Sequence, residues 1–325
     1  MTTRSRIAGL TGGMLLLATT ALAQGYPDRQ ITMVVPFAAG GPTDTDGRLV
    51  AERMSEDLGQ QIIIQNVGGA GGTLGAQQVA EAEADGYTIL LHHIGMATAP
   101  TLYRELAFDP VADFAPVGLV TEVPMTLVAR ADFEPADMPA LIQYVKDNAD
   151  TITLANAGIG AASHLCGMLF MRAVDAPIVT VPYRGTGPAM TELVGGQIDI
   201  MCDQTTNTTE QIQGGTIKAY AVTTPERLDI LPDLPTAAES GLPGMEVSVW
   251  HGIYAPAGTP QEAIDRLAGA LQAALADPEV GAQLAELGTA PSPAEDATPA
   301  ALQARLSEEI ERWRPVIEEA GVYAD

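Results

Sequence analysis

The chain has 325 residues and a formal net charge of −25, from 16 basic and 41 acidic side chains. This acidity disfavours binding to nucleic acid or to an anionic membrane. Aromatic residues make up only 5% of the chain, which argues against a stacking surface for sugars or bases. If the ligand is an anion, local dipoles must overcome the repulsion of the whole protein.

The first 23 residues have the features of a secretory signal peptide. Arg4 and Arg6 precede an apolar stretch over 7–17, and Ala21-Leu22-Ala23 is a small-residue cleavage site. The stretch is too short for a membrane-spanning helix. A retained anchor is the alternative, but no basic segment follows to stop transfer. We therefore expect the signal peptide to be cleaved and the mature protein to reach a periplasm.

The mature chain is long enough for two domains. Strands and helices alternate almost throughout, which predicts α/β layers with mostly parallel sheets. The helices after Pro260 have no strand of their own, so they must pack on an existing sheet. The chain therefore leaves the first domain near Pro124 and returns near Trp250. This predicts a discontinuous domain 1 (24–124 and 250–325), a domain 2 (125–249) and a ligand cleft between the two lobes.

The first strand and the turn after it predict an anion site. An apolar run over 31–35 ends in the turn Gly40-Gly41, and a helix follows with Thr43 and Asp44 as candidate caps. Unpaired amides and the helix dipole favour an anion at such a turn. Residues 36–47 contain no Lys or Arg, so backbone amides and hydroxyls must hold the anion. A tight turn without a ligand is the alternative.

Two further loops lie near the expected cleft. Gly68–Thr73 also follows a strand and opens a helix, and parallel strands would place it at the same sheet edge. The turn Gly158–His164 would face both glycine loops from domain 2. Neither glycine loop matches a dinucleotide or phosphate-loop motif. The candidate ligand-binding residues are Phe37, Gly41, Thr43, Gly71, Gly72, Thr73, His93, Asn156, Gly160, Ala161, Ser163, His164 and Asp203.

Polar side chains near the cleft leave several roles open. The tract 203–209 is interpreted as cleft lining from domain 2, with a solvated loop as the alternative. Asp203 would repel a bare carboxylate, so it favours a ligand hydroxyl or amine, or excludes bulky charge. His92 and His93 point to opposite sides of a strand, which does not suit chelation. For His164, a structural hydrogen bond and ligand contact are both open.

The reactive side chains indicate no catalytic or metal chemistry. Cys166 and Cys202 are the only cysteines, and both a disulfide and two separate buried thiols are open to them. Too few thiols and imidazoles cluster anywhere to form a zinc site. The chain has no nucleophile elbow, no HExxH and no paired-carboxylate motif. We therefore expect no cofactor and no enzymatic activity.

Motifs along the whole mature chain resemble one receptor family. They include Gly40-Gly41-x-x-Asp44-x-x-x-Arg48, Gly69-Ala70-Gly71-Gly72, Asp85-Gly86-Tyr87-Thr88, Ser163-His164-Leu165, Val181-Pro182-Tyr183-Arg184-Gly185 and Pro232-Asp233-Leu234-Pro235-Thr236. In this order they resemble the extracytoplasmic solute receptors of the tripartite tricarboxylate transporters, the Bug or TctC-like family.

The resemblance implies a two-lobed type II periplasmic binding protein fold. It also implies a ligand carboxylate held by the two glycine loops of the first lobe, partly through water. His92-His93-Ile94-Gly95, Cys166 and the tract 202–209 depart from the family pattern. Those positions face the distal end of the ligand, so the resemblance does not carry over the substrate.

The sequence therefore predicts a non-enzymatic periplasmic receptor for a small organic carboxylate. A dicarboxylate, aliphatic or aromatic, is favoured because two facing amide-rich loops suit two charged ends. The expected partners are the large and small integral membrane subunits of a tripartite tricarboxylate transporter, with a monomeric receptor and no nucleic acid. The alternatives are a carboxylate sensor for a signalling partner and an enzyme on a similar two-lobed scaffold.

Overall fold

The computed structural model describes residues 25–324, so the predicted signal peptide lies outside the described residues. The first segment alternates strands with helices: β1 (Ile31–Val35), α1 (Pro42–Leu58), β2 (Ile62–Asn66), a 3₁₀ turn (Ala70–Gly72), α2 (Thr73–Ala80), β3 (Thr88–His93) and α3 (Gly95–Leu102). A long strand, β4 (Phe114–Arg130), then leads into the second lobe.

The second lobe continues the alternation before the chain returns. Its elements are α4 (Met138–Asn148), β5 (Thr153–Asn156), α5 (Ala162–Val174), β6 (Val179–Pro182), α6 (Thr186–Val194), β7 (Ile200–Gln204), α7 (Thr205–Gln213) and β8 (Ile217–Val222). The returning segment contains β9 (Ser248–Pro256), α8 (Gln261–Leu275), α9 (Pro278–Glu286), β10 (Ala290–Pro291) and α10 (Pro299–Ala320).

Strand β4 is shared by the two lobes. Its first part, Phe114–Pro124, pairs with β9, and its second part, Met125–Arg130, pairs with β7 and β8. The sheet order is β2-β1-β3-β9-β4 on the first side and β4-β7-β5-β6 on the second. The predicted two-lobed α/β fold is therefore present. The exact domain boundaries at 124/125 and 249/250 stay a prediction.

The expectation of mostly parallel sheets is wrong around the connection between the lobes. The pairs β1–β2, β1–β3, β5–β6 and β5–β7 are parallel, whereas the pairs of β4 and β9 are antiparallel. The reason is that β4 leaves the first lobe and β9 returns to it, so the two strands run in opposite directions. Pro124 does not interrupt β4 but lies where its pairing passes from β9 to β7.

Two other predicted elements differ from the structure. The alternative of a solvated loop for the tract 203–209 is wrong, because its first two residues end β7 and the rest form the start of α7. The segment after Pro260 is not wholly helical, because β10 pairs with β4. Both elements depend on partners that are distant in the sequence. Helix α7 packs against β4 and β8. Strand β10 pairs with Thr121 and Glu122 of β4, far earlier in the chain.

Helix α1 shows how local sequence positions the site. Pro42 occupies its first turn, where its missing N–H costs nothing, and the left-handed Gly59 (φ 70°) ends the helix. Val50, Met54 and Leu58 are buried in a core that α8 covers. Each such buried side chain contributes about 1.5–3 kcal/mol. The core therefore fixes the helix, and its N-terminus stays in the space between the lobes.

Candidate functional site

A small pocket lies between the lobes, and we call it the ligand pocket. Its volume is about 10 Å³. The first lobe lines it with Phe37, Gly41, Pro42, Thr43 and His93, and the second lobe with Ala157, Ala162, Ser163, Thr186, Asp203 and Gln204. Neither Lys nor Arg is among these residues. Six of the sequence-predicted residues thus meet here: Phe37, Gly41, Thr43, His93, Ser163 and Asp203.

Four helix N-termini surround the ligand pocket. Helices α1, α5, α6 and α7 begin at Pro42, Ala162, Thr186 and Thr205, and each has its cap or first-turn residues in the pocket wall. None of these four ends has a side-chain cap hydrogen bond. Their first-turn amides and positive dipole ends are therefore available to an anion.

The cap prediction for α1 is wrong, and the reason matters for the site. The N-cap is Gly41, and neither Thr43 nor Asp44 caps the helix. Asp44 instead accepts hydrogen bonds from the Gly40 amide (2.9 Å), from Asn66 and from both Nε and Nη2 of Arg48 (2.9 Å each). The Arg48 guanidinium is engaged there, away from the ligand pocket. Thr43 keeps its hydroxyl for the pocket and for His251.

Behind Thr43 lies a buried histidine that sequence reasoning missed. His251 Nε2 is 3.1 Å from Thr43 Oγ1, and His251 Nδ1 is 3.0 Å from Thr121 Oγ1. The carboxylate of Asp46 lies 3.7 Å from Nδ1. Burial lowers the pKa of His251 well below its usual value and raises the pKa of Asp46 to about 8. The sequence alone gives no indication of this cluster, because it depends on the pairing of His93 with His251 across β3 and β9.

The two adjacent histidines of β3 have different neighbours. The His93 ring stacks on Phe37 (centroids 4.6 Å apart), and its Nδ1 accepts a hydrogen bond from the Gly95 amide. His92 lies under the second glycine loop, where a Cβ on Gly72 would meet its ring at 2.8 Å. Burial lowers the pKa of both histidines, that of His93 to about 3. Of the two, only His93 lines the ligand pocket, and because its Nδ1 accepts a hydrogen bond, the neutral ring carries its proton on Nε2.

Asp203 forms part of the second-lobe wall. Its side chain is only 1% exposed and accepts a 2.6 Å hydrogen bond from Asn207 Nδ2. Burial raises its pKa to about 6, although hydrogen bonds from Asn207, the Gln204 amide and Thr186 oppose the shift. Gln204 Oε1 beside it is buried without a hydrogen-bond partner in the structure. This wall therefore has acceptor atoms that suit a ligand hydroxyl, amine or protonated group.

The remaining predicted residues lie outside the lining of the ligand pocket. Asn156 accepts from the Gly158 amide, and His164 Nδ1 accepts from the Gly160 amide at 3.3 Å, so both side chains shape the third loop. Burial lowers the pKa of His164 to about 4. Ala161 is the N-cap of α5. Ligand contact by Asn156, Gly160, Ala161 and His164 stays a prediction.

The second glycine loop makes contact between the lobes instead of lining the ligand pocket. A Cβ on Gly71 would overlap the carbonyl oxygen of Ile159 in the second lobe. The hydroxyl of Tyr103 lies 2.7 Å from Ala70 O and 2.8 Å from Ile159 O, bridging the two loops. Thr73 donates to Ala70 O within its own loop. This loop therefore holds the lobes together in the closed arrangement.

Two more hydrogen bonds join the lobes around the ligand pocket. The Ala38 amide donates to Arg184 O (2.8 Å), and the Thr98 hydroxyl donates to Gly160 O (3.1 Å). In the second lobe, Cys166 and Cys202 form a disulfide with their Cα atoms 5.9 Å apart, linking α5 to β7. It connects the elements that carry Ser163 and Asp203 to the ligand pocket.

A family model described as the tripartite tricarboxylate transporter family receptor matches residues 47–322. The chain belongs to this receptor family. An Agrobacterium vitis UPF0065 protein from the TAR-I ttuE-ttuC′ intergenic region is 53% identical over 94% of this chain and 89% of its own. The solved periplasmic binding protein BugD is 52% identical with a TM-score of 0.90, covering 92% of this chain and 100% of BugD.

A second solved relative is MatC from Rhodopseudomonas palustris with bound malate. It is 43% identical with a TM-score of 0.88, covering 90% of this chain and 100% of MatC. The relatives are substrate-binding receptors, so the chain is a periplasmic solute-binding receptor of the TctC family and not an enzyme. Among residues 25–324, no helix is long and apolar enough to cross a membrane. The same residues include no group of three or more His, Cys, Asp or Glu side chains arranged to hold a metal ion.

Proposed function

We propose that this receptor captures a small dicarboxylate in the ligand pocket and delivers it to a tripartite tricarboxylate transporter. The observation that carries the proposal is the convergence of four uncapped helix N-termini on a pocket wall without Lys or Arg. Such ends stabilise carboxylates through amides and dipoles. Among the relatives, MatC was solved with bound malate, which is a dicarboxylate.

The ligand pocket is nearly filled in this closed arrangement. Its volume of about 10 Å³ is about the space of one water molecule, so the lobes must separate further to admit a dicarboxylate. One carboxylate would contact α1 through Thr43 and its neighbouring amides, and the other would contact α5 near Ser163. A ligand that touches both lobes stabilises the closed form by its differential affinity for that form. The closed form would then be the one presented to the large and small membrane subunits, with the receptor acting as a monomer.

We also propose that residues 1–23 are a cleaved signal peptide that directs the protein to the periplasm. Arg4 and Arg6, the apolar stretch and the Ala21-Leu22-Ala23 site support this proposal. Mass spectrometry of the protein purified from its native periplasm tests it, since the mature N-terminus would be Gln24. An intact N-terminus on the purified protein would contradict cleavage.

A thermal-shift screen of organic acids tests the ligand class. The panel should include C4 to C6 aliphatic dicarboxylates, aromatic dicarboxylates, matching monocarboxylates, sugars and amino acids. We expect dicarboxylates to raise the melting temperature, with about 2.7 kcal/mol of stabilisation when the ligand is present at a hundred times its Kd. If no carboxylate raises the melting temperature while sugars or amino acids do, the proposal is wrong.

A further inference from the structure

The buried carboxyl group of Asp46 has no explanation in the packing of α1. Its side chain is 0% exposed, and neither oxygen accepts a hydrogen bond of normal geometry. Thr121 lies nearby, but its hydroxyl is engaged with His251 Nδ1 at 3.0 Å. No Lys or Arg forms an ion pair with it in the described residues. A buried, unpaired carboxyl group is rare enough to require a functional or protonation-based explanation.

The hydrogen bonds that join His251 to Thr43 and Thr121 have a direction. A Thr43 hydroxyl that donates to a ligand carboxylate must accept a hydrogen bond from His251 Nε2–H across their 3.1 Å contact. His251 Nδ1 then accepts a hydrogen bond from the Thr121 hydroxyl. In the opposite tautomer, Thr43 would donate to His251 and turn lone pairs toward the anion. Carboxylate binding therefore needs neutral His251 with its proton on Nε2.

The charge of Asp46 decides between the two tautomers. An ionised carboxylate 3.7 Å from His251 Nδ1 attracts the imidazole proton to that nitrogen. It also places a negative charge behind the anion site, in a region where burial weakens screening. A protonated Asp46 has neither effect. The side chain thus acts on the ligand through His251 and Thr43 and is a positioning residue.

We propose that carboxylate capture requires a proton on Asp46, which keeps His251 in the tautomer that turns the Thr43 hydroxyl toward the ligand. This inference rests on the proposed function, because it takes the ligand to be a carboxylate bound at Thr43. Burial raises the pKa of Asp46 to about 8, which places the loss of this proton just above neutral pH. Carboxylate binding and protonation of Asp46 then favour each other by linkage.

The other titratable groups near the cluster do not change charge in the same pH range. His92 and His93 face it from β3, and burial holds the pKa of both below the usual value, so they are neutral. Asp203 lies on the second-lobe wall with a pKa of about 6, so it is already ionised above neutral pH. On α1 itself, Asp44 and Arg48 form an ion pair that lowers the pKa of Asp44 and raises that of Arg48.

Calorimetry across pH tests the proposal. The best-binding dicarboxylate from the thermal-shift panel, or malate as the default probe, should be titrated from about pH 6.5 to 9.5. For the wild type, Asp203 changes Kd near pH 6, and we expect Asp46 to add a separate rise approaching tenfold per pH unit above about pH 8. Asp46→Asn keeps the shape of the side chain and carries no charge at any pH, so its Kd should stay constant above about pH 8.

A matched control is available on the same helix. Asp57 lies at the surface of α1, where it pairs with Arg266, so Asp57→Asn should keep the wild-type pH profile. A constant wild-type Kd up to about pH 9.5 would overturn the proposal. So would an Asp46→Asn variant that keeps the alkaline loss of affinity.

A ligand-free measurement separates this proposal from the proposed function and does not depend on the folding of a variant. The ¹⁵N chemical shifts of His251 in the unliganded wild type report its tautomer. We expect the proton to move from Nε2 to Nδ1 as the pH rises through about 8. If no carboxylate binds at any pH but this change occurs, the proposed function fails while the Asp46–His251 coupling stands. If the tautomer stays the same, the coupling is refuted.

Discussion

Removing the hydroxyl group of Thr43 should weaken carboxylate binding sharply. Thr43→Val keeps the shape of the side chain but deletes the oxygen that lines the ligand pocket and lies 3.1 Å from His251 Nε2. A hydrogen bond to a charged group is worth about 1.5–3 kcal/mol. At about 1.4 kcal/mol per tenfold change, Kd should rise roughly 10- to 150-fold. Isothermal titration calorimetry at neutral pH measures the change directly.

Control variants separate this hydrogen bond from a general disturbance of α1. Thr43→Ser keeps the hydroxyl and should recover most of the affinity. Thr45→Val makes the same change two residues later, at a residue that does not line the ligand pocket and whose hydroxyl donates to Gly41 O. It should change Kd by less than about threefold. Arg48→Ala should leave Kd nearly unchanged, because its guanidinium is bound to Asp44. If Arg48→Ala abolishes binding while Thr43→Val preserves it, a cation holds the anion and the reasoning is refuted.

Four further predictions follow from the same contacts. Burial raises the pKa of Asp203 to about 6, so the carboxyl group becomes negative and dicarboxylate affinity should fall as the pH rises through that value. Asp203→Asn should flatten the pH profile of Kd measured by calorimetry. An unchanged profile would contradict this role. The net charge of −25 repels a dianion, and salt screens this repulsion. The association rate constant measured by stopped flow should therefore rise with salt concentration. A fall would indicate attractive steering. Tyr103→Phe removes a hydroxyl that bonds Ile159 O only when the lobes are closed. The variant should bind the ligand about fivefold more weakly by calorimetry. If its Kd equals that of the wild type, the contact is not needed for binding. The Cys166–Cys202 disulfide closes a loop of 36 residues, so its reduction should lower the free energy of unfolding by about 4 kcal/mol. Denaturant unfolding measures this change, and unchanged stability after verified reduction would contradict the contribution of the disulfide.

Local sequence was enough to predict the first half of the site. The strand over 31–35, the glycine turn and α1 are neighbours in the chain, so their chemistry could be inferred without tertiary structure. The same holds for the start of α5 at Ser163. Their meeting across the cleft followed from the prediction of two lobes with two crossings. These parts of the ligand pocket are where local propensity and packing agree.

The buried cluster and the second glycine loop required information that the sequence does not display. His251 reaches Thr43 only through the register of β3 with β9, which joins residues about 160 positions apart. Gly71 and Gly72 have the composition of an anion loop, yet the closed lobes place Gly71 against Ile159, and Gly72 packs against the His92 ring of its own lobe. The threonine-rich start of α7 has weak helix propensity, and tertiary packing of the helix overrides it.

A crystal structure of the receptor with its dicarboxylate would test the central claim most directly. We expect one carboxylate within hydrogen-bond distance of the Thr43 hydroxyl and the first-turn amides of α1, and the other near the first turn of α5. No Lys or Arg side chain should contact either carboxylate. A ligand bound outside this pocket, or one whose carboxylates are held by arginine side chains such as that of Arg184, would contradict the account.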